Sequence, residues 1–294
     1  LAAAREPRRA AAAGEFLAFL AGISGDAPQD EQLAATGARL FTDYLRAVRG
    51  DDGNLITLGP GRFLMPGDLE GSPLLTFFPL PGVAGGTPRA ITREPSFSSL
   101  AVAGSGPVIV GLRQSFVEPP TLVSIIARNG SATKLSDFND AALANLTQGR
   151  YERVTYKGAN DEDVQMWVVY PPDFTPEKRW PLYLLLHGGP HNAMTDGYQW
   201  RWNAQVFANW GYVTAWHNFH GSSGFGQDWA DSITAEWGEL PYMDTIKAAE
   251  WFAAQSWIDS ERMAAGGGSF GGYLASYLLG REHPFKTLVA HAPV

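Results

Sequence analysis

The sequence predicts an α/β fold preceded by an all-β region, and three observations carry that prediction. From Leu182 onward, short apolar runs alternate with amphipathic helical stretches, the texture of β-α-β units. Between Asn54 and Lys134 the runs are short, apolar or alternating, and are broken by turn residues. Near the end, Gly267-x-Ser269-x-Gly271 stands between a strand-like and a helix-like stretch. With 294 residues, 45% of them hydrophobic, the chain can build one large or two medium domains around a sizeable core.

Residues 1–50 form the first segment. Residues 1–13 are rich in Ala and Arg and low in complexity. From Asp30 to Val48, Leu33, Leu40, Phe41, Tyr44, Leu45 and Val48 fall on one helical face, with Gly50 placed to end it. Such a face packs on its own domain or docks a partner, and the first is the commoner use. Residues 51–140 form the second segment. Strands are expected over 54–58, 74–80, 97–103, 107–113 and 121–127, separated by Gly85-Gly86, Gly104-Ser105-Gly106 and Asn129-Gly130. A strand about every ten residues suits a sandwich or propeller blades, and this length suffices for about two four-stranded blades.

Residues 141–294 form the third. After a connector over 141–153, Glu152–Tyr156 and Val164–Tyr170 predict a hairpin across Gly158-Ala159-Asn160-Asp161. A strand over Leu182–Leu186, a helix around Trp202–Asn209 and a strand over Tyr212–Trp216 follow. Next comes a helix over Asp244–Gln255, with Asp244 as its N-cap and Ile246, Ala249, Phe252 and Ala253 inward. The Gly267-x-Ser269-x-Gly271 strand and helix and a last strand over Thr287–His291 complete the pattern. A hairpin, then β-α units, with the serine after the fifth strand, is the order of an α/β-hydrolase domain.

The motif by itself is weak, because a chain with 33 glycines meets it readily by chance. Its context makes it a nucleophile elbow: a turn and buried strand lead in from Ile258, and Tyr273–Leu279 continues at helical spacing until Gly280. Ser269 is therefore the expected nucleophile. His187-Gly188-Gly189-Pro190-His191 directly follows the Leu182–Leu186 strand. In this fold that loop lends an N–H to the oxyanion hole, here from Gly189 or Gly188, joined by the N–H of Phe270. A metal pair of His187 and His191 at i, i+4 would need a helix, which Gly-Gly-Pro between them forbids. A plain strand-end turn with satisfied histidines stays open as the alternative. Asn218–Gly226 follows the next strand as a glycine-rich loop whose Phe219 and Phe225 could wall a pocket.

Together these residues resemble the prolyl oligopeptidase family of serine peptidases. The resemblance rests on His187-Gly188-Gly189-Pro190, the Asn218–Gly226 loop, Trp237-Gly238 with Asp244, Asp259 with Arg262, and Gly267–Tyr273. Many members carry Arg where this chain has His220; the dipeptidyl-peptidase 5, alanyl dipeptidyl-peptidase and acylaminoacyl-peptidase branch is the nearest in pattern. The match is strong from about Glu152 to Val294, looser over 74–149, and fails over residues 1–50, where a different N-terminal segment or a sequence error would explain it. The resemblance implies cleavage of oligopeptides near the N-terminus through an acyl-enzyme on Ser269. It also implies a substrate pocket with Phe219, Phe270 and Tyr273, and no metal or other cofactor.

The catalytic Asp and His of this fold follow the serine, each after a further strand. The residues after Ser269 include no Asp, and Glu282, His283 and His291 lie in a helix exit and a strand. Both partners are thus expected beyond Val294, the domain is expected to be C-terminally incomplete, and these 294 residues alone are expected to be inactive. An esterase or lipase on the same elbow, and a non-catalytic binding domain, remain the rival readings. A net charge of −8, with no basic cluster outside the first ten residues, speaks against nucleic acid as a partner. The chain has no cysteine, which excludes disulfides, thiolate metal sites and a cysteine nucleophile and leaves the compartment open. No apolar run reaches the roughly 18 residues of a membrane span, so no membrane partner is expected. The chain opens at Leu1 without a secretory-signal pattern, which reads as a processed chain or a piece of a longer one.

Overall fold

The computed structural model describes residues 56–57, 62–69, 72–79, 89–92, 95–102, 108–126 and 129–294. The helix expected over 30–48 lies outside them. Contacts divide the chain into two compact units, the first holding most of the strands before residue 136 and the second residues 137–294 with the short segments 68–72 and 114–120.

The first unit contains two four-stranded sheets. One is β1 (Ile56–Thr57), β2 (Arg62–Leu69), β3 (Ser72–Pro79) and β4 (Arg89–Thr92), and the other β5 (Ser96–Val102), β6 (Val108–Ser115), β7 (Glu118–Ile126) and β8 (Ala132–Lys134), each in sequence order. Asn129-Gly130 turns β7 into β8 as expected: Gly130 has φ 73° and its N–H donates to the Ile126 carbonyl at 2.8 Å. Strand β7 includes Pro119 and Pro120, which the sequence pattern places outside it. The tolerance has a local cause, since β8 pairs only with Val123–Ile125 and the prolines lie beyond that ladder.

The second unit is built on a six-stranded mixed sheet. Its strands are β9 (Tyr151–Lys157), β10 (Asp163–Val169), β11 (Trp180–Leu186), β12 (Val213–His217), β13 (Ile258–Ser269) and β14 (Thr287–Pro293), in the order β14-β13-β11-β12-β10-β9. The first two form the expected antiparallel hairpin, β10 runs antiparallel to β12, and β11–β14 are mutually parallel. The crossover that sends β12 to one side of β11 and β13 to the other makes a switch point, with the loops after all three strands on one edge.

Both faces of this sheet are covered, so the central strands read as continuous apolar runs. Leu182, Leu184 and Leu186 enter one core with Ala248, Phe252, Leu274 and Leu278. Tyr183 and Leu185 enter the opposite core with Trp167, Val169, Ala204, Ala208 and Trp216. Each fully buried leucine here contributes about 2–3 kcal/mol. Helix α1 (Asp140–Leu143) precedes the sheet. Helix α2 (Ala204–Asn209) covers the second face, capped by the Asn203 side chain, which accepts the Gln205 N–H at 2.9 Å. Helices α4 (Glu239–Ala253) and α5 (Phe270–Leu279) cover the first, after the short α3 (Gln227–Asp231).

One expectation is corrected. Asp244 does not cap a helix: α4 starts five residues earlier, behind Gly238, and Asp244 is fully buried in its second turn. Pro241 masks the true start in the sequence, yet it is tolerated because N–H groups of a first turn need no helical partner. With Asp244 inward, the buried face holds Thr245, Ala248, Ala249 and Phe252, while Ala253 is exposed and Ile246 only partly covered.

Candidate active site

Ser269 ends β13 and Phe270 begins α5, so the serine sits on the turn from strand to helix. Its φ of 56° and ψ of −121° are strained for a residue with a Cβ, and its side chain faces solvent. Among the described residues no hydrogen bond reaches its hydroxyl. The glycines around it are dictated by close approach. A Cβ on Gly267 or on Gly271 would lie 2.0 Å from the same atom, the Leu186 carbonyl oxygen, and one on Gly272 would lie 2.6 Å from the His291 carbonyl oxygen. The elbow therefore wedges against β11 on one side and β14 on the other.

Gly188 and Gly189 leave the neighbouring strand β11 at the same edge, where Leu186 pairs with Gly267. A Cβ on Gly188 would stand 3.4 Å from the Ser269 Cβ and 3.9 Å from its Oγ, so this backbone lies against the serine. Gly189 has φ 132°, and a Cβ there would also meet the His191 nitrogen at 2.9 Å. Phe270 occupies the first helical position of α5, where a backbone N–H has no partner within the helix and carries the positive end of the dipole. The geometry thus brings Ser269, Gly188, Gly189 and Phe270 together at one place.

The three residues expected to wall a pocket are placed differently from one another. The Phe219 and Phe270 rings are fully buried in the core, 5.6 Å apart, and neither offers open surface. Tyr273, one turn into α5, stays partly open and neighbours Trp237, itself 46% exposed, at 6.3 Å. Phe219 instead stacks flat on the His187 ring, with centroids 4.1 Å apart and planes 8° from parallel.

Behind the elbow lies a buried polar network that no sequence pattern assembles. The His187 Nδ1 lies 2.9 Å from the Gly188 carbonyl oxygen and its Nε2 lies 2.9 Å from the Ser222 Oγ. Burial pushes its pKa down to about 4 against a smaller opposing pull from that carbonyl, so the ring is neutral at neutral pH. Burial and then the neighbouring His187 bring His217 down to about 3. His217 Nδ1 meets the Tyr156 hydroxyl at 2.8 Å, and that hydroxyl donates to the Asp244 carbonyl at 3.0 Å. Asn218 stitches the loop to its surroundings, bonding the Gln165 side chain and both the N–H and the carbonyl of Met194.

His220 is clamped between two carboxylates, Nδ1 at 2.7 Å from Asp244 and Nε2 at 2.9 Å from Glu162, with its ring on Trp229 at 3.9 Å. Burial opposes its charge, but the bonds and charges of Asp244 and then Glu162 outweigh burial and raise its pKa. The Asp244 carboxylate also accepts the Ala159 N–H at 2.8 Å and the His220 N–H at 2.7 Å. One buried acid thereby joins α4, the β9–β10 turn and the loop after β12. Apart from its place beside Trp237-Gly238 in the family pattern, its sequence signal is an acidic residue at an inward helical position, which reads as a cap once Pro241 hides the helix start.

Known proteins share parts of this chain's sequence and fold. Residues 198–294 match the model described as the prolyl oligopeptidase family. Residues 1–100 match a different one, the YcjX-like family DUF463. The chain is similar to dipeptidyl-peptidase 5 of Schizosaccharomyces pombe, 34% identical over 206 residues, which is 68% of this chain and 29% of that protein. It is similar to the Porphyromonas endodontalis protein of the same name, 33% identical over 190 residues, covering 64% of this chain and 28% of the other. The chain thus spans under a third of the length of these relatives. Among solved structures, Pyrococcus horikoshii acylaminoacyl peptidase matches with a TM-score of 0.66 at 20% identity, over 79% of this chain and 36% of that one. An acylaminoacyl peptidase bound to Z-Gly-Gly-Phe-chloromethyl ketone matches at 0.68 and 20%, over 84% and 38%. These likenesses show the fold: an α/β-hydrolase sheet preceded by blade-like sheets.

Proposed function

We propose, from a chain whose residues 198–294 match the prolyl oligopeptidase family model, that this protein is a serine peptidase acting on short peptides near their N-terminus. The observation that carries the reading is the exposed, strained Ser269 with the Gly188-Gly189 backbone lying against it. In this reading the Ser269 hydroxyl attacks the scissile carbonyl, and the Gly189 or Gly188 and Phe270 N–H groups take the charge that develops on its oxygen. Each such donor supplies about 10²–10³ in rate. Collapse of the adduct releases the peptide amine, and water then hydrolyses the acyl-enzyme. Tyr273 and the exposed Trp237 offer aromatic surface near the elbow for a substrate side chain. Residues 141–294 serve as the hydrolase part and 51–140 as propeller-like blades. The base and acid come from sequence following the elbow, each after a further strand.

The test uses the reading frame carried to its natural stop. A fluorophosphonate probe is expected to label the protein, and Ser269→Ala to abolish both labelling and release of nitroaniline from Ala-Ala-nitroanilide. Labelling that survives the substitution would overturn the nucleophile assignment. Turnover confined to short nitrophenyl esters would favour an esterase.

A further inference from the structure

Gly266, Gly267, Gly268, Gly271 and Gly272 surround the nucleophile, and packing requires all of them except Gly268. A Cβ on Gly266 would meet the Tyr183 hydroxyl and the Val289 Cβ at 2.8 Å, and those on Gly267, Gly271 and Gly272 would run into carbonyl oxygens. At Gly268 a Cβ would find nothing nearer than 3.4 Å, which is ordinary van der Waals contact, and the backbone there is not left-handed. Strand β14 bulges at this level, with Gly268 opposite His291 and Ser269 opposite Pro293. The extra residue, however, is Ala292 on β14, so the bulge makes no demand on Gly268. A glycine inside a strand weakens it, and with packing and bulge both set aside, close approach of a ligand is the remaining reason for one.

The ground over Gly268 suits a ligand. Gly266 and Gly267 are buried, but Gly268 is partly exposed. Its missing Cβ is faced by the Trp202 Cζ2 at 3.4 Å, the His291 Nδ1 at 3.5 Å and the Trp202 Nε1 at 3.6 Å. The two rings stand edge to face, with centroids 5.8 Å apart and planes at 78°. Trp202 is partly exposed and His291 exposed, and among the described residues no hydrogen bond takes up the indole N–H or either imidazole nitrogen. Resting on the peptidase reading above, we propose that Trp202, Gly268 and His291 form a subsite for the main chain of a bound peptide beside Ser269. A peptide carbonyl passes over Gly268 and accepts the Trp202 Nε1–H, with the His291 ring as the opposite wall. The indole N–H only donates, so the group that meets it is an acceptor. The gap between the rings is about one methyl group wide, which admits a slender carbonyl and turns away a branched side chain. Such a subsite reads the peptide backbone and is indifferent to the side chains it carries.

The experiment uses the protein carried to its natural stop, with tetra-alanine as substrate. Gly268→Ala is expected to fold with an unchanged urea midpoint, because its methyl fits, and to raise KM about tenfold or more with kcat retained. Trp202→Phe keeps a ring but removes the donor, and is expected to raise KM about 3- to 10-fold. A fluorophosphonate probe should label Ser269 in both variants as fast as in the unsubstituted protein. A Gly268→Ala variant that fails to fold overturns the steric premise. A folded Gly268→Ala or Trp202→Phe variant with an unchanged KM overturns the subsite. So does labelling that slows in step with kcat/KM, which would place the effect on the elbow itself. Tetra-alanine left uncut by the unsubstituted protein, or still cut after Ser269→Ala, would instead remove the peptidase reading on which the subsite stands.

Discussion

Three buried histidines make the stability of this chain peak near neutrality, and the peak can be dissected. His220 has a raised pKa in the folded state, through Asp244 and Glu162 against the burial that opposes them. The folded form therefore binds its proton more tightly than the unfolded chain, whose histidines titrate near about 6.5. That contribution is fully present below about pH 6.5 and is lost as pH rises through the higher folded value. Every tenfold gain in proton affinity on folding adds about 1.4 kcal/mol. Most of it belongs to the fully buried Asp244, since Glu162 is half exposed and its pairing is screened. His187 and His217 work in the opposite sense, with folded values near 4 and 3 set by burial. Between about pH 6.5 and 4 the unfolded chain gains two protons that the folded one refuses, a loss of up to about 2.7 kcal/mol per pH unit. Urea unfolding of the 294-residue chain, followed by tryptophan fluorescence from pH 4.5 to 9, should trace a dome with a steep acid arm and a shallower alkaline one. His220→Gln should flatten the alkaline arm between pH 6.5 and 9 and leave the acid arm in place. A wild-type curve that is flat or rising over pH 6.5–9, or a His220→Gln curve with the same alkaline slope, would refute the assignment of a protonated clamp.

Three further outcomes are expected. Gly267→Ala drives a methyl into the Leu186 carbonyl at 2.0 Å and should leave little folded protein, read as rapid proteolysis and lost cooperative unfolding. Asp244→Asn puts an amide N–H against either the Ala159 N–H or the two donors of His220 and breaks a buried charge pair, which should cost about 3–5 kcal/mol in urea unfolding. The 294-residue chain should release no nitroaniline from Ala-Ala-nitroanilide while the protein carried to its natural stop does; equal turnover by both, lost on Ser269→Ala, would show that the base and acid lie within these residues.

The second unit is legible in the sequence wherever one physical signal acts alone. Leu182–Leu186 is a strand buried on both faces and reads as an unbroken apolar run, and the elbow glycines stand out because nothing larger fits beside Leu186. The hairpin over β9 and β10 follows from its turn residues, with Asn160 and Asp161 at positive φ where their short polar side chains tolerate it. Legibility fails where signals collide. Pro241 looks like a helix stop but sits in a first turn, so the pattern starts α4 five residues late and turns Asp244 into a cap. Strand β2 carries Pro66-Gly67 within it, which hides it, and β4 is only four residues long. The roles of His187, His220 and Asp244 depend on partners 24 to 85 residues away, and no local pattern encodes such pairings.

The shared clash at the Leu186 carbonyl has a consequence for how this scaffold can diversify. One oxygen atom, the last carbonyl of a fully buried strand, vetoes any side chain at two separate positions of the elbow, Gly267 and Gly271. Substitutions there are lethal to the fold whatever the substrate, so no selective pressure on specificity can act through them. The strand that carries the oxygen is equally frozen, because Leu186 is packed in the core. Variation that survives must enter through surfaces with room to move, and two of these near the elbow are Tyr273 and the half-exposed Trp237. A mutational scan scored for folding should find a dead zone around Leu186, and one scored for substrate choice should find its hits across the gap, on those two aromatic residues.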